Sequence, residues 1–312
     1  MVAEARVVRP SDGQAGGEIP GGSPGRAYAR PVATDGEAPT RRALIDTILG
    51  NPLVGLSPWI LYSIVEGEGR LELSAALALG LAVAILCLNW LRGSAPKMLE
   101  YSDVVYFAGL AIVVAFASPG TRRWLELWGG EVANIALVVI VLGTIVVRRP
   151  FTLAYAKEDV PEEYWETPEF LSVNYLISWV WAVAFIIEAA SGLYGDAVLH
   201  NDNNIWTGWI IQTFPMIVAA QFTIWYPNRL DAVREGRAES APTVRDFLAT
   251  VTPWITVIGI LVLSIGGGPE WLGIALIVLG IALTKVLSSK PRSAVAVVDP
   301  AAIAVDPAAP GD

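Results

Sequence analysis

Long runs of apolar residues, separated by short polar segments, dominate the chain between two polar ends. A helix needs about 20 apolar residues to cross the hydrocarbon core of a bilayer. Transmembrane β-strands instead alternate apolar and polar residues, whereas these runs are continuously apolar. The pattern therefore predicts an all-α polytopic transmembrane bundle. Its eight expected spans are roughly 44–65, 71–91, 101–118, 131–147, 170–191, 205–226, 249–265 and 270–287.

The first of these spans carries residues that disturb a membrane helix, namely Asp46, Asn51, Pro52 and Pro58. Proline lacks a backbone donor and usually begins, kinks or ends a helix. Two interpretations stay open for this segment: a bent helix that crosses the bilayer, or a short interfacial helix followed by a bent span.

The two ends of the chain have a composition typical of disorder. Residues 1–42 are rich in Gly, Pro, Ala and charge, and residues 290–312 are rich in Ala, Val, Pro and Asp. Such segments bury too little apolar surface to offset their ordering entropy. The sequence predicts two disordered tails around one helical domain, 43–289. No apolar core of signal-peptide length occurs in the first 40 residues, so we expect insertion to begin at an internal span.

The basic residues predict the orientation, because Lys and Arg accumulate on the cytoplasmic side of membrane proteins. With both termini in the cytoplasm, only Arg70, Arg122 and Arg123 of the 21 Lys and Arg residues lie outside. Arg greatly outnumbers Lys and Ala is abundant, which is typical of GC-rich bacterial genomes. We therefore expect a multi-pass protein of the bacterial inner membrane (the plasma membrane).

Composition supports a membrane location and excludes some partners. Hydrophobic residues make up 54% of the chain and charged residues 16%, and the mean hydropathy is +0.52. Soluble domains carry about 25% charged residues. The net charge of −9 does not suggest a nucleic-acid partner. The expected partners are the lipid bilayer and a membrane or cytoplasmic protein, and the oligomeric state stays open.

Residues for catalysis or metal binding are scarce. Cys87 is the single cysteine and His200 the single histidine, so neither a thiolate cluster nor bis-histidine haem ligation can form. A zinc ligand set and a Gly-Lys phosphate loop are also missing from the sequence. We therefore expect no enzyme, no cofactor and no metal.

Polar residues on the fifth and sixth spans form a candidate cavity. Asn174 and Ser178 lie one helical turn apart on the fifth span, and Glu188 lies near its outer end. Gln212 precedes Pro215 on the sixth span, where the proline is expected to kink the helix. These side chains either line a polar pathway or hold packed helices together by hydrogen bonds.

The loop between the fourth and fifth spans is a candidate docking surface for a cytoplasmic partner. It carries four aromatic residues, Phe151, Tyr155, Tyr164 and Trp165, beside an acidic run. Thr167 and Pro168 are typical of the N-cap and first residue of the following helix. The alternative interpretation is a structured interfacial connector.

Several segments in this order resemble a known family. They are Asn51-Pro52-Leu53, Leu71-Glu72-Leu73-Ser74-Ala75-Ala76-Leu77 and Arg149-Pro150-Phe151-Thr152-Leu153-Ala154-Tyr155-Ala156, followed by Trp165, Pro168 and Asn174. Together they are similar to bacterial inner-membrane proteins of the septation protein A type and their uncharacterised multi-pass relatives. The resemblance covers the first five spans. It implies a membrane protein without established catalytic residues, and the last three spans depart from that shorter family.

Three functional hypotheses follow, of which an intramembrane enzyme has almost no support from the residues. The first is a non-enzymatic membrane protein that binds partners or organises the cell envelope. The alternative is a carrier for a small or lipid-like substrate, through a polar cavity between the fifth and sixth spans. Transporters are often built from repeats, and Ser57-Pro58-Trp59-Ile60 weakly matches Thr252-Pro253-Trp254-Ile255.

Overall fold

The structure, a computed structural model, describes residues 49–200 and 204–289. Both predicted tails lie outside the described residues, as does the beginning of the first predicted span. Every regular element within the described ranges is helical, which confirms the all-α prediction there. The α-helices are α1 Pro52–Gly55, α2 Ser57–Val65, α3 Leu71–Arg92, α4 Met98–Phe116, α5 Pro119–Val146, α6 Thr152–Asp159, α7 Pro168–Ala197, α8 Ile211–Arg234, α9 Val244–Ile265 and α10 Glu270–Ser288.

Six helical stretches in the described ranges are long and apolar enough to cross a membrane. They contain α3, α4, α5, α7, α9 and α10. These helices expose many large apolar side chains, as lipid-facing helices do. The chain therefore has the helices of a multi-pass membrane protein. α8 has 24 residues, but Gln212, Gln221, Asn228 and Arg229 lower its hydropathy, and it is not among the six.

The described part of the first predicted span is not one continuous helix. α1 has four residues and α2 nine, and Pro52 and Pro58 stand in their first turns. The Asn51 side chain caps α1 by accepting a hydrogen bond from the Leu53 amide at 2.9 Å. At about 1.5 Å per residue, α1 and α2 together cover roughly 20 Å, less than the hydrocarbon core.

α5 begins well before the predicted start of the fourth span at residue 131. Ser118 caps this helix by accepting a hydrogen bond from the Thr121 amide at 3.2 Å, and Pro119 is its first residue. Its first turns carry Arg122, which forms an ion pair with Glu72 of α3. The early turns are polar, and for that reason the hydropathy pattern excluded them from the span.

α7 is the central helix of the bundle and packs against α5, α6 and α8. Half of its most apolar stretch is buried, compared with 11% in α10. Phe185 of α7 is fully buried, as is Phe107 of α4, whose ring centroid lies 5.7 Å from that of Tyr62 in α2. The main hydrophobic core lies among α2, α3, α4, α5 and α7.

α9 and α10 form a peripheral hairpin. Their backbones approach closely at Gly259 and Gly280, where an added Cβ would meet backbone atoms of the opposite helix at 2.7 and 2.6 Å. The indole nitrogen of Trp206, in the π-helical turn Trp206–Ile210 before α8, donates a hydrogen bond to the Gly267 carbonyl at 2.7 Å. This bond joins the hairpin to the rest of the bundle.

The bundle has two chemically different ends. One end carries Arg92, Lys97 and α6, and we name it the α6 end. The opposite end carries the turn between α2 and α3 together with the last turns of α7, and we name it the Glu66 end. The sequence predicts that the α6 end faces the cytoplasm.

Candidate functional site

A cavity of about 750 Å³ opens at the α6 end, between α1, α6, α7 and α8. Ligand pockets commonly measure about 300–1,000 Å³. Apolar surface from Ile177, Trp181 and Ala220 alternates with polar groups in its wall. The polar lining includes Thr152, Asn174, Thr223, Asn228 and Asp231.

Hydrogen bonds between α6 and α7 build one wall of this cavity. The Thr152 hydroxyl, at the start of α6, donates to the Asn174 carbonyl at 3.0 Å and is bonded to the Ser178 hydroxyl at 2.8 Å. The Asn174 amide donates to the Phe170 carbonyl one turn earlier, at 2.8 Å. Ser178 therefore fixes α6 onto α7, while Asn174 also lines the cavity.

α8 supplies the opposite wall. The Trp181 indole of α7 donates to the Thr223 hydroxyl at 2.9 Å, and that hydroxyl donates to the Ala219 carbonyl at 2.8 Å. Pro227 lies one turn beyond Thr223 and has no N–H, so the Thr223 carbonyl lacks its usual helical partner. Pro227 thus interrupts the backbone hydrogen bonds of α8 at a point where the helix lines the cavity.

Asp231 is one of three acidic residues that the described part of the chain places in the cavity wall, together with Asp159 and Glu235. Its residue is only 6% exposed, and its Oδ1 has no hydrogen-bond partner among the described residues. Glu235 and Arg237 also line the cavity and form an ion pair with each other. A buried carboxylate oxygen without a partner is costly, so this wall favours a ligand that donates a hydrogen bond.

A buried ionic network lies beside the cavity, and sequence reasoning missed it. Lys97 is 2% exposed, and its ammonium lies 2.9 Å from a Glu158 oxygen and 3.5 Å from a Glu100 oxygen. The Asn89 amide donates to the same Glu100 oxygen at 2.6 Å. In the sequence Lys97 lies between the second and third predicted spans, and only its three-residue spacing to Glu100 could signal the pairing.

Two of the four predicted docking aromatics are covered by the protein itself. Phe151 is 2% and Tyr155 3% exposed, so neither ring presents a surface to a partner. The Lys97 ammonium lies 4.8 Å from the centroid of the Tyr155 ring. Burial, together with the charges of Glu100, Asp103 and Glu158, raises the pKa of the Tyr155 hydroxyl well above its ordinary value. Phe151 directly precedes α6 and Tyr155 lies on it, and both rings belong to the main hydrophobic core together with Val173 and Ile177 of α7.

Tyr164 and Trp165, the other two predicted docking aromatics, are half-buried. They pack against Val160 and Phe170 in a small separate cluster. The Trp165 indole donates to the Val160 carbonyl at 2.8 Å, and the Lys157 ammonium lies 4.5 Å from its ring centroid. The segment is therefore a structured connector whose outer face stays accessible. Thr167 caps α7, as its sequence indicates, by accepting a hydrogen bond from the Phe170 amide at 3.3 Å.

The predicted polar cavity is divided in the structure. Asn174 lines the cavity at the α6 end, and Ser178 is buried in the contact with α6. Glu188 and Gln212 are half-buried, lie toward the Glu66 end and do not line it. The structure therefore does not bring all four residues to one cavity, because Asn174 and Ser178 lie toward the α6 end and Glu188 and Gln212 toward the Glu66 end.

Comparison with protein-family models, curated proteins and solved structures finds no match for this chain. Within the described residues, no group of three or more His, Cys, Asp and Glu side chains is arranged to hold a metal ion. The resemblance to the septation protein A type stays a prediction. The arrangement at the α6 end is suited to binding, because it offers hydrogen-bond acceptors and apolar surface within one cavity.

Proposed function

We propose that the protein is a carrier for a small or lipid-like substrate, which binds in the cavity between α7 and α8 at the α6 end. The observation that carries the proposal is the mixed lining of a cavity of about 750 Å³. Acceptors from Asn174, Thr223 and Asp231 would orient donor groups of the substrate, and Ile177 and Trp181 would cover its apolar part. Pro215 and Pro227 give α8 two sites where its backbone ladder is interrupted, which suits a helix that moves.

The proposal includes a topology and a location. α8 and a first crossing within 43–65 would add two spans to the six apolar helices. Both termini and the α6 end would then lie in the cytoplasm of a bacterial cell, with the protein in its inner membrane. The distribution of Lys and Arg supports this arrangement.

The test is cysteine accessibility in sealed membrane vesicles of defined orientation. Cys87→Ala removes the native thiol, and Thr223→Cys then places one thiol in the cavity wall. Ser178→Cys is the matched control, because Ser178 is buried one turn from Asn174 but does not line the cavity. A membrane-impermeant maleimide should label Thr223→Cys at least tenfold faster than Ser178→Cys when it is added at the α6 end.

A carrier also exposes its site to the opposite side, so slower labelling of Thr223→Cys is expected when the reagent is added at the Glu66 end. Protection of Thr223→Cys from both sides would refute an aqueous binding site. If Thr223→Cys is labelled only from the α6 end, even after hours in detergent-free native lipid, transport would be rejected. The protein would then be one that binds a ligand without carrying it across the membrane.

A second candidate is the partner-binding or envelope-organising protein suggested by the resemblance. The observation that favours it is the accessible face of the connector between α6 and α7, where Glu162, Glu163 and Glu166 are exposed beside Tyr164 and Trp165. A basic partner would suit this surface. Charge reversal of the three glutamates should then abolish co-purification of that partner, whereas Thr223→Cys should leave it unchanged.

A further inference from the structure

The Glu66 end holds a group of carboxylates that the cavity at the α6 end does not use. Glu188, Gly192 and Asp196 succeed one another at four-residue intervals, so they share one face of α7. The Glu131 carboxylate of α5 occupies the space above Gly192, where an added Cβ would collide with it. Glycine at this position therefore seats Glu131 between the two acidic positions of α7.

A fourth carboxylate approaches from the turn between α2 and α3. Glu66 lies against Gly130 of α5, where a Cβ would also collide with the carboxylate. Two successive residues of α5 therefore face different elements: Gly130 lies against Glu66 of the turn, and Glu131 lies against the acidic face of α7. The four carboxylates belong to three elements, so their convergence is a product of tertiary packing.

Glu131 is the member of this group that is removed from water. Its residue is 6% exposed, and its Oε2 has no hydrogen-bond partner among the described residues. Asn134, one turn further along α5, forms a side-chain hydrogen bond with it. The charges acting on Glu131 within the described residues are negative and come from Asp196, Glu66 and Glu188. An ionised Glu131 would therefore be both desolvated and repelled.

The surrounding titratable groups do not reverse this situation. Tyr62 of α2 lies close to Gly129, and the Glu66 charge acts on both Tyr62 and Tyr106 of α4. A phenol carries no positive charge, so neither ring compensates the carboxylates. The Arg70 guanidinium lies over Gly67 in the same turn as Glu66 and is exposed. Burial, and then the charge of Asp196, raises the pKa of Glu66, in that turn, to about 7.

We propose that Glu131 is a proton-binding site, held in its protonated form by Gly192 and the neighbouring carboxylates and filled from the Glu66 end. The step is a simple transfer: an O–H bond forms at Oε2, and the conjugate base of the donor acid stays in solution. A proton, rather than a metal ion, fits the site because the described carboxylates are not arranged as a metal-ligand set. Intramembrane carboxylic acids of this kind act as proton relays in pumps and transporters.

The test is infrared spectroscopy of the full-length protein in lipid nanodiscs at neutral pH, where a protonated carboxyl group gives its own carbonyl stretching band. Glu131→Gln should remove the band area of one carboxyl group per chain. Glu270→Gln is the matched control, since Glu270 is an exposed carboxylate at the beginning of α10 at the same end. Transfer to D₂O should shift the band, because the proton exchanges with water at the Glu66 end.

A wild-type protein without the band, or a Glu131→Gln protein that keeps its full area, would overturn the proposal. Ca²⁺ and Na⁺, added separately, should leave the band unchanged; its loss on addition of either ion would identify a cation site instead. Gly192→Ala gives a second readout if Glu131→Gln folds poorly, because displacement of the carboxyl group should shift the band. An unshifted band in a folded Gly192→Ala protein would also contradict the assignment. None of these results depends on the cavity at the α6 end.

Discussion

Single residues decide how charge is tolerated within this apolar bundle. Lys97 contacts carboxylates from two elements, Glu100 of α4 and Glu158 of α6, and is almost fully buried. Glu158 also lies 3.4 Å from the Arg92 guanidinium at the end of α3. Removing one partner of a buried pair leaves the other charge uncompensated, which costs more than the pair itself contributes. Lys97, Glu158 and Arg92 together therefore join α3, α4 and α6.

Lys97→Met is expected to destabilise the protein by about 3 kcal/mol, because Glu100 then stays buried without its cation. Thermal unfolding followed by circular dichroism in one detergent measures the effect. The matched control is Lys285→Met, since Lys285 is exposed near the end of α10. Equal melting temperatures for the two variants would show that the buried network contributes no stability.

Glu66 gives the protein a pH-dependent stability. Its pKa rises from 4.5 to about 7, mainly through burial and then through the charge of Asp196. The folded state binds this proton more tightly than the unfolded state, so the contribution is complete below about pH 4.5 and is lost as the pH rises through about 7. Glu66→Gln, which stays neutral, should stabilise the protein at pH 8 by about 2 kcal/mol and have little effect at pH 4.

The measurement is the unfolding midpoint at several pH values between 4 and 8. Glu68→Gln is the control, because Glu68 is exposed in the same turn. If the unfolding midpoints of Glu66→Gln and the wild type differ by the same amount at every pH in this range, Glu66 is not the source of the pH-dependent stability.

At the scale of helices, capping residues decide where a helix begins and side-chain size decides how closely two helices pack, and hydropathy alone predicts neither. The hydropathy pattern predicted the apolar helices, but α5 begins at the cap formed by Ser118 and Pro119, within a polar stretch. The weak repeat also falls in unlike settings. Pro58 lies in the first turn of α2, whereas Pro253 lies inside α9. Trp59 is buried and donates a hydrogen bond to Asp103 at 2.6 Å, whereas Trp254 is exposed. The two similar tetrapeptides therefore do not occupy equivalent positions in the structure.

The α9–α10 pair depends on glycine at its closest approach. Gly259→Ala would drive a Cβ into the backbone of α10 at Gly273, so we expect a loss of about 1–3 kcal/mol through overpacking. Gly143→Ala in α5 is the control, since a Cβ there meets no atom within 4 Å. That change should be neutral or stabilise by up to about 1 kcal/mol through helix propensity. Comparable losses in both variants, measured as unfolding midpoints, would reject the close-packing argument.

At the scale of the whole molecule, the bundle separates two chemistries. Ion pairs, amphipathic α6 and a mixed cavity occupy the α6 end, whereas four carboxylates converge at the Glu66 end. α7 connects the two, since it carries Asn174 near its beginning and Glu188 and Asp196 near its end. The substrate site proposed for the α6 end and the proton site proposed for the Glu66 end would together make the protein a proton-coupled carrier.

The topology makes a separate prediction. In a Cys87→Ala background, a cysteine at exposed Glu163 should be labelled by an impermeant maleimide from the cytoplasmic side alone, and one at exposed Tyr194 from the opposite side alone. Both positions are at the surface, so the comparison reports sidedness rather than burial. Labelling of the two cysteines from the same side would contradict the predicted orientation.

The sequence by itself determined the all-helical class and the apolar character of six long helices in the described residues. It could do so because continuous apolar runs and helix caps are local signals, read within about 20 residues. It also indicated Asn174 and Glu188 as polar residues on one long helix, but it could not assign them to different sites.

Only the tertiary structure decided which charges meet. Lys97 with Glu158, and Glu131 with Glu66 and Asp196, are separated by tens of residues in the chain and joined by packing. It also placed Phe151 and Tyr155 in the main hydrophobic core, at the contact between α6 and α7. Contacts of this kind depend on which helices are neighbours and on where glycine permits close approach, and neither is encoded within a single segment.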